Sequence, residues 1–283
     1  MPKVDLHIHS TASDGRLSPA EVVGKAAELG LTVMAITDHD TVDGIAPALA
    51  AANVFPQLKV IPGVEISTDF PSGEVHVLGY FLDYTDPELR STLDRFRNSR
   101  QLRAQRMVAK LKSLGVHIEW QRVQEIAGSG ALGRPHIAQA MLEKGYIGSF
   151  KEAFTSYIGR GEPAYVEREK ITPVEAVALI LRSKGLPVLA HPFTASDPGA
   201  MTTELKAAGL VGLEVYYNGY SADKVNELLS MARRHNLIAT GGSDYHGLDA
   251  ATETMIGDAG VPMESARQLI ALAERQALKN ARV

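Results

Sequence analysis

Short apolar runs alternate with amphipathic stretches over most of the 283 residues, and this alternation constrains the fold more than any other feature. A strand, a crossover helix and another strand specify an α/β fold with parallel strands. Residues 4–9, 32–37, 59–66, 75–82, 187–190, 213–217 and 237–240 read as strands. Helices are expected over 18–29, 42–52, 173–183, 222–235 and 262–277. The first is sharply marked: Ser18 as N-cap, Pro19 at the first helical position, Glu21 two residues later, and Gly30 as the stop. Pro71-Ser72-Gly73 marks a hairpin or tight loop between the third and fourth strands. From residue 87 to 165 the strand signal disappears, and helices are expected at 90–114, 120–127, 136–143 and 149–158. Seven strands with intervening helices predict a (β/α) barrel of irregular form rather than an open sheet. The chain then divides into a first barrel part over 1–86, a helical insertion over 87–165 that caps the substrate, and a second barrel part over 166–283.

Composition narrows the chemistry. The absence of cysteine removes disulfides, thiolate metal sites and a cysteine nucleophile, so any metal must be held by His, Asp and Glu. A formal net charge of −4 provides no global basic field for long nucleic acid, although a local basic patch remains open. No apolar run approaches the roughly 18 residues of a membrane span. The opening MPKVDLHIHS has no apolar signal core. A cytoplasmic protein without a membrane partner is expected.

The histidines are placed unevenly. Of nine, those at 7, 9, 39, 76, 191 and 246 fall within or just after an expected strand, and Asp5, Asp14, Asp38, Asp40, Glu65 and Asp244 cluster with them. The C-terminal ends of parallel barrel strands converge on one mouth, so residues far apart in sequence would meet there. In a strand His7 and His9 share a face and suit one metal ion. Thr37-Asp38-His39-Asp40 flanks a histidine with acids. Glu65 closes an apolar run, where a carboxylate is costly unless paired or metal-bound. Asp244 and His246 repeat the i, i+2 spacing. Taken singly, each has a plain explanation: a solvated pair, a turn acid at Asp14, a core histidine at 76. Their joint placement does not. His117 and His235 lack such surroundings and are assigned to the surface. About nine His and carboxylate ligands with a bridging Glu would hold two or three ions of Mn²⁺, Zn²⁺ or Fe²⁺.

Taken together, Asp5-Leu6-His7-Ile8-His9-Ser10, Ser13-Asp14-Gly15, Thr37-Asp38-His39-Asp40-Thr41, Pro62-Gly63-Val64-Glu65, His76, Ala190-His191-Pro192 and Gly242-Ser243-Asp244-Tyr245-His246 resemble the PHP (polymerase and histidinol phosphatase) family. The resemblance spans the chain outside the insertion. It implies a distorted (β/α)7 barrel with a trinuclear metal site. His7, His9, Glu65 and Asp244 would hold one ion. Glu65, His76 and His191 would hold a second, with Glu65 bridging. Asp14, His39 and His246 would hold the third, with Asp14 standing where many members have His. Mn²⁺ is expected first, with Fe²⁺ or Zn²⁺ as alternatives. The implied chemistry is in-line attack of a metal-bridging hydroxide on phosphorus, with His191, Asp244 and His39 in the catalytic set and no covalent protein nucleophile.

The insertion resembles one subgroup through Gly133-Arg134-Pro135-His136 and Gly159-Arg160-Gly161-Glu162-Pro163-Ala164-Tyr165. Its members include a 3′,5′-nucleoside bisphosphate phosphatase and a 5′→3′ exoribonuclease acting on short RNA. Removal of the 3′-phosphate from a small nucleotide such as adenosine 3′,5′-bisphosphate is therefore expected. Short-RNA trimming and histidinol-phosphate-type hydrolysis are the alternatives, and no long duplex is expected as partner. Arg134 and His136 flank Pro135, and an Arg fork suits a non-reacting phosphate. Arg97, Arg100, Arg103 and Arg106 recur every three residues; Arg100 and Arg103 are expected to face the site, the outer two to be solvated. Tyr216, Tyr217 and Asn218 are candidates for contacts to a base.

Overall fold

In the computed structural model, which describes residues 3–70, 73–128, 130, 132–167, 171–217, 219–248 and 254–280, seven strands follow one another in sequence order around a single sheet. They are β1 Lys3–Asp5, β2 Leu31–Ile36, β3 Lys59–Phe70, β4 Gly73–Tyr80, β5 Leu186–Leu189, β6 Gly212–Tyr217 and β7 Ile238–Gly242. The first and last meet. Leu6 N–H donates to the Gly241 carbonyl at 3.1 Å, Asp244 N–H donates to the His7 carbonyl at 2.8 Å, and Ile8 bridges Tyr245. The result is a nearly closed α/β barrel.

One strand runs against the rest. β4 is antiparallel to both β3 and β5, while the remaining neighbours are parallel. The hairpin expected from Pro71-Ser72-Gly73 accounts for the reversal, although Pro71 and Ser72 lie outside the described residues. Reversal brings the start of β4 to the end of the barrel where the parallel strands finish. His76, paired in register with Ser67, reaches the mouth by this route.

Two expectations are corrected. The strand expected over 4–9 ends at Asp5, because the Thr37 side chain, not a ladder carbonyl, receives the Ile8 N–H at 3.0 Å. The crossover from β5 to β6 contains a helix not foreseen, here α8 Pro198–Ala208, capped by Asp197 with Pro198 next and Gly209 in the left-handed region (φ 113°) as its stop. Its buried face is only Met201, Thr202 and Leu205, a weak apolar period. The other barrel helices are α1 Pro19–Glu28, α2 Ile45–Ala52, α7 Pro173–Arg182, α9 Ala222–Arg234 and α10 Met263–Asn280. α1 has the capping box of Ser18 and Glu21.

Between β4 and β5 lie α3 Pro87–Ser113, α4 Trp120–Ala127, α5 Arg134–Glu143 and α6 Phe150–Ala153, followed by a π-helical turn Phe154–Ile158. These helices bury their own apolar cluster, including Met107, Leu111, Val123, Ile137 and Met141. Each buried side chain of this size contributes about 1.5–3 kcal/mol, so the cluster is an apolar core beside that of the barrel. α3 belongs to both bodies. Leu89, Leu93 and Phe96 pack in the barrel core, whereas Met107, Val108 and Leu111 pack in the helical cluster. Arg100 and Arg103, both buried, lie on α3 where it passes from one to the other. No helix among the described residues is long and apolar enough to cross a membrane.

Candidate metal centre

Glu65, fully buried on β3, is the hub. Its Oε2 lies 3.2 Å from His7 Nε2, 3.2 Å from His9 Nε2 and 3.0 Å from His39 Nδ1. Its Oε1 lies 2.8 Å from His76 Nδ1 and 3.0 Å from His191 Nε2. Asp244 Oδ1 is 3.3 Å from His7 Nε2 and 3.0 Å from His9 Nε2. Asp14 Oδ1 is 3.5 Å from His246 Nε2 and 3.9 Å from His9 Nδ1, and its Oδ2 is 4.0 Å from His39 Nε2. Three groups have ligand atoms all within 4.8 Å of one another: His7, His9, Glu65 and Asp244; His39, Glu65 and His76; and His9, Asp14, His39 and His246. The first has the membership expected from the sequence. In the others His9 and His39 are shared more widely than expected, and His191 lies against Glu65 Oε1.

The backbone is bent to make this convergence. Asp40, His191 and Asp244 have positive φ of 51°, 25° and 54°, conformations that cost non-glycine residues about 1–3 kcal/mol each. Gly242 sits so close to His7 that any Cβ there would collide with it, so only glycine lets β7 close on the chain after β1.

A further ring of partners orients the hub. Glu214, buried within β6, meets His7 Nδ1 at 2.9 Å and accepts the His191 N–H at 2.7 Å. With Nδ1 committed to Glu214, His7 turns its Nε2 lone pair toward Glu65 and Asp244. Glu214 is absent from the sequence-derived set, yet an acid inside an apolar strand is the same signal that singled out Glu65. Asp38 accepts from Ser10 N–H, Ser10 Oγ and Ser13 Oγ, each at 2.7 Å, and so pins the loop that carries Asp14. Asp5 accepts from the backbone of His7, Ser243 and Gly257. The Tyr217 hydroxyl donates to Asp244 Oδ2 at 2.7 Å, which makes Tyr217 a buttress for the carboxylate. Tyr216 packs partly against the barrel core. Asn218 lies outside the described residues.

The electrostatics call for cations. Buried His7 Nε2, both nitrogens of His9, His39 Nδ1, Asp14 Oδ1 and Glu65 Oε2 are within reach of one another but lack hydrogen-bond geometry. Such orphaned polar atoms are rare in a folded interior. Burial would raise Glu65, but His39, His76 and His7 outweigh it and hold the carboxyl well below its usual range. Burial is likewise overcome at Asp14 by His39 and His246, and at Asp244 by His7 and His9. Burial disfavours a proton on His39, against the pull of Glu65 and Asp14. At His246 burial is outweighed by Asp14 and Asp244, which lift the imidazole to about 10. The carboxylates therefore stay ionised. Protons on imidazoles would match their charge, but only ions shared among several rings would also satisfy the orphaned lone pairs. A His and carboxylate donor set fits Mn²⁺, Fe²⁺ or Zn²⁺.

Residues of the insertion approach the Asp14 side. Arg100 Nε donates to Asp40 Oδ2 at 2.7 Å, and its Nη2 donates to Ser67 Oγ at 2.7 Å. A Cβ added at Gly133 would lie 3.3 Å from Asp14 Oδ2 and 3.7 Å from Arg100 Nη1, so the start of α5 closes directly on the site. His136 is buried, and its Nδ1 accepts the Gly133 N–H at 2.9 Å, capping α5. Arg134 holds its guanidinium carbon 5.2 Å from the Phe154 ring centre. Arg103 is buried on α3. Of the outer arginines, Arg97 bonds Thr41 at 2.8 Å and Asp43, while Arg106 lines an outer groove with Lys110 and Arg160.

Comparison with known proteins gives concordant matches. The sequence profile of the PHP domain matches residues 5–157. The chain is 33% identical to a 3′,5′-nucleoside bisphosphate phosphatase of Chromobacterium violaceum over 257 residues, covering 87% of this chain and 88% of that one. It is 35% identical to the 5′-3′ exoribonuclease Rnm of Escherichia coli, covering 86% of this chain and 84% of that one. The crystal structure of a protein described as a metal-dependent phosphoesterase from Bifidobacterium adolescentis superposes with a TM-score of 0.87 at 30% identity, covering 95% and 96% of the two chains.

Proposed function

The chain belongs to the PHP domain family, and from that premise we propose that it is a metal-dependent phosphoesterase that removes the 3′-phosphate of small nucleoside 3′,5′-bisphosphates. The observation that carries this reading is the convergence on Glu65 of His7, His9, His39, His76 and His191 beside Asp244, closed on the Asp14 side by the start of α5. His7, His9, Glu65 and Asp244 would hold one ion; His39, His76 and His191 would share Glu65 around a second; Asp14, His39 and His246 would hold a third. Mn²⁺ is the expected metal. When bound, such ions neutralise phosphoryl charge and make water acidic enough to be a nucleophile near neutral pH.

The protein's own contribution is placement. Glu65 divides its two oxygens among imidazoles from separate strands and so fixes their spacing. Glu214 holds His7 and the His191 backbone in one orientation, and Tyr217 holds Asp244. His191, Asp244 and His39 form the catalytic set. His191 Nε2 lies 3.0 Å from Glu65 Oε1 and its Nδ1 3.4 Å from Thr194 Oγ1, so its ring is steadied on both edges. Arg100 commits Nε and Nη2 to Asp40 and Ser67, which favours Arg134 as the fork for the second phosphate, with Arg103 and His136 as supports.

A second reading, stepwise 5′→3′ hydrolysis of short RNA, draws on a groove of about 720 Å³ on the insertion lined by Arg106, Lys110, Arg160 and Tyr165. Metal-reconstituted protein supplied with adenosine 3′,5′-bisphosphate and, separately, with a 5′-phosphorylated RNA trimer separates the two. A higher kcat/KM for phosphate release from the bisphosphate is the expected result. Faster release of mononucleotides from the trimer would make RNA trimming the main activity, and turnover of neither would remove both readings.

A further inference from the structure

The rim of the mouth next to His191 has a ledge of aromatic side chains that the metal chemistry does not use. Phe193 lies in the 3₁₀ turn Pro192–Thr194 that follows His191, Tyr217 ends β6, and Tyr220 precedes α9. Their rings meet in series. His191 and Tyr217 are 5.4 Å apart between centroids, Tyr217 and Tyr220 5.0 Å, and Tyr220 and Phe193 5.3 Å at 74°. Phe193, Tyr217 and Tyr220 are half-buried, unlike Tyr80 and Phe96, which the fold encloses completely. Over the ledge lies exposed Lys224, its Nζ 5.2 Å from the Phe193 centroid and 5.4 Å from that of Tyr220.

Aromatic rings needed only for packing would gain more from full burial. Here Phe193 and Tyr220 pack on the barrel core with one side partly open, near an imidazole of the metal cluster, and the exposed Lys224 ammonium lies over that side. An ammonium over two ring faces marks a surface that attracts a flat or electron-poor group, and a nucleobase offers such a group at any sequence. Tyr217 is tied to Asp244 by its hydroxyl and links the ledge to the centre, leaving Phe193 and Tyr220 as the stacking pair.

We propose that Phe193 and Tyr220 form the subsite that recognises the base of a nucleotide whose phosphate lies at the metal centre, the base taking the place of the Lys224 ammonium. The inference rests on the phosphoesterase reading above and deepens it by naming the part of the substrate held on the β5–β6 side, while Arg134 serves the insertion side. The ligand class is nucleotides in preference to sugar phosphates that lack a base, with purines ahead of pyrimidines because of their larger stacking face.

The test compares kcat/KM for phosphate release from adenosine 3′,5′-bisphosphate and from 1-deoxyribose 3,5-bisphosphate, which has no base. Phe193→Ala and Tyr220→Ala should lose on the order of tenfold to a hundredfold on the nucleotide, chiefly in KM, and change little on the base-free substrate. Equal losses on both substrates, or no loss on either, would overturn the proposal. Should the alanine variants fold poorly, Tyr220→Phe keeps the ring and should keep the nucleotide preference, whereas Tyr220→Leu keeps apolar volume without a π face and should lose it. Identical behaviour of these two would also overturn it. If the unaltered protein hydrolyses neither compound, the bisphosphate-phosphatase reading fails alone. Equilibrium dialysis of adenosine 5′-monophosphate then decides the ledge: weaker binding to Tyr220→Leu than to Tyr220→Phe supports it, and equal binding overturns it.

Discussion

Polar side chains at the barrel mouth and in the helical insertion are held under different rules. At the mouth Glu65 is fully buried and touched by imidazoles from several strands, and residues such as Asp244 and His191 sit in strained backbone. In the insertion the ion pairs of Arg122 with Glu143 and Glu125 lie at the surface with Arg122 nearly half exposed, where such pairs contribute at most about 1 kcal/mol. Removing one partner from a buried ionic group costs about 3–5 kcal/mol, because the remaining charge is stranded. The mouth is therefore over-determined and the insertion adjustable. The similar proteins carry different names, a 3′,5′-nucleoside bisphosphate phosphatase and a 5′-3′ exoribonuclease.

The most severe way to probe that contrast is at the hub. Glu65→Gln keeps the shape and removes the charge that the imidazoles share. Phosphate release should fall on the order of 10³-fold, and elemental analysis after gel filtration should find less metal per chain. Retention of both metal and activity would break the contrast at its centre. Next comes Glu214→Gln, one layer out. It cannot accept from both His7 and the His191 backbone as the carboxylate does, and metal affinity should drop about 10- to 100-fold. Metal titration with a competing chelator measures it, and an unchanged affinity would mean that the imidazoles orient themselves.

The same contrast decides what could be read from the sequence. The residues around Glu65 are legible because they sit at or just beyond strand ends: His7 and His9 flank Ile8, which bridges Tyr245 past the end of β1, acids follow strands, and His191 follows β5. His76 joined them for a reason that register alone does not give, the reversal of β4. Glu214 was legible by the rule used for Glu65 and was overlooked because no histidine stands beside it in sequence. The bond from Arg100 to Asp40, the capping of α5 by His136 and the cover of Lys224 over Phe193 were not legible. Each depends on how a helix docks, which rests on non-local packing. The ionic role of Arg97, expected to be solvated, belongs to the same class, since its partner Asp43 is brought near only by the seating of α3.

On the adjustable side, Arg134→Ala should raise KM for adenosine 3′,5′-bisphosphate about tenfold and leave kcat nearly unchanged, the size of one or two charge-assisted hydrogen bonds. On adenosine 3′-monophosphate, which lacks the second phosphate, the variant should match the parent. A loss of kcat on both substrates would place Arg134 in the reacting centre and erase the distinction between cap and mouth at that residue.

The smallest expected effect falls on the seam. Gly133 has φ −120° and ψ 171°, an extended conformation open to any residue, so alanine there meets no backbone strain. Its added Cβ would meet Pro135 Cδ at 3.2 Å and Asp14 Oδ2 at 3.3 Å, tight enough that a neighbour must move by a few tenths of an ångström. Loss of chain entropy in the unfolded state favours alanine by about 0.4–1 kcal/mol, which offsets the crowding, so Tm should change little. Activity should behave differently. If Asp14 is the neighbour that moves, kcat/KM should fall by a factor of a few on both adenosine 3′,5′-bisphosphate and adenosine 3′-monophosphate, since displacements well under 1 Å already matter at a reacting centre. If α5 moves instead, only the bisphosphate should suffer, because Arg134 rides on that helix. The two-substrate ratio thus reports which side of the seam is stiffer, and a stiff Asp14 with a yielding α5 is what the contrast between mouth and cap requires.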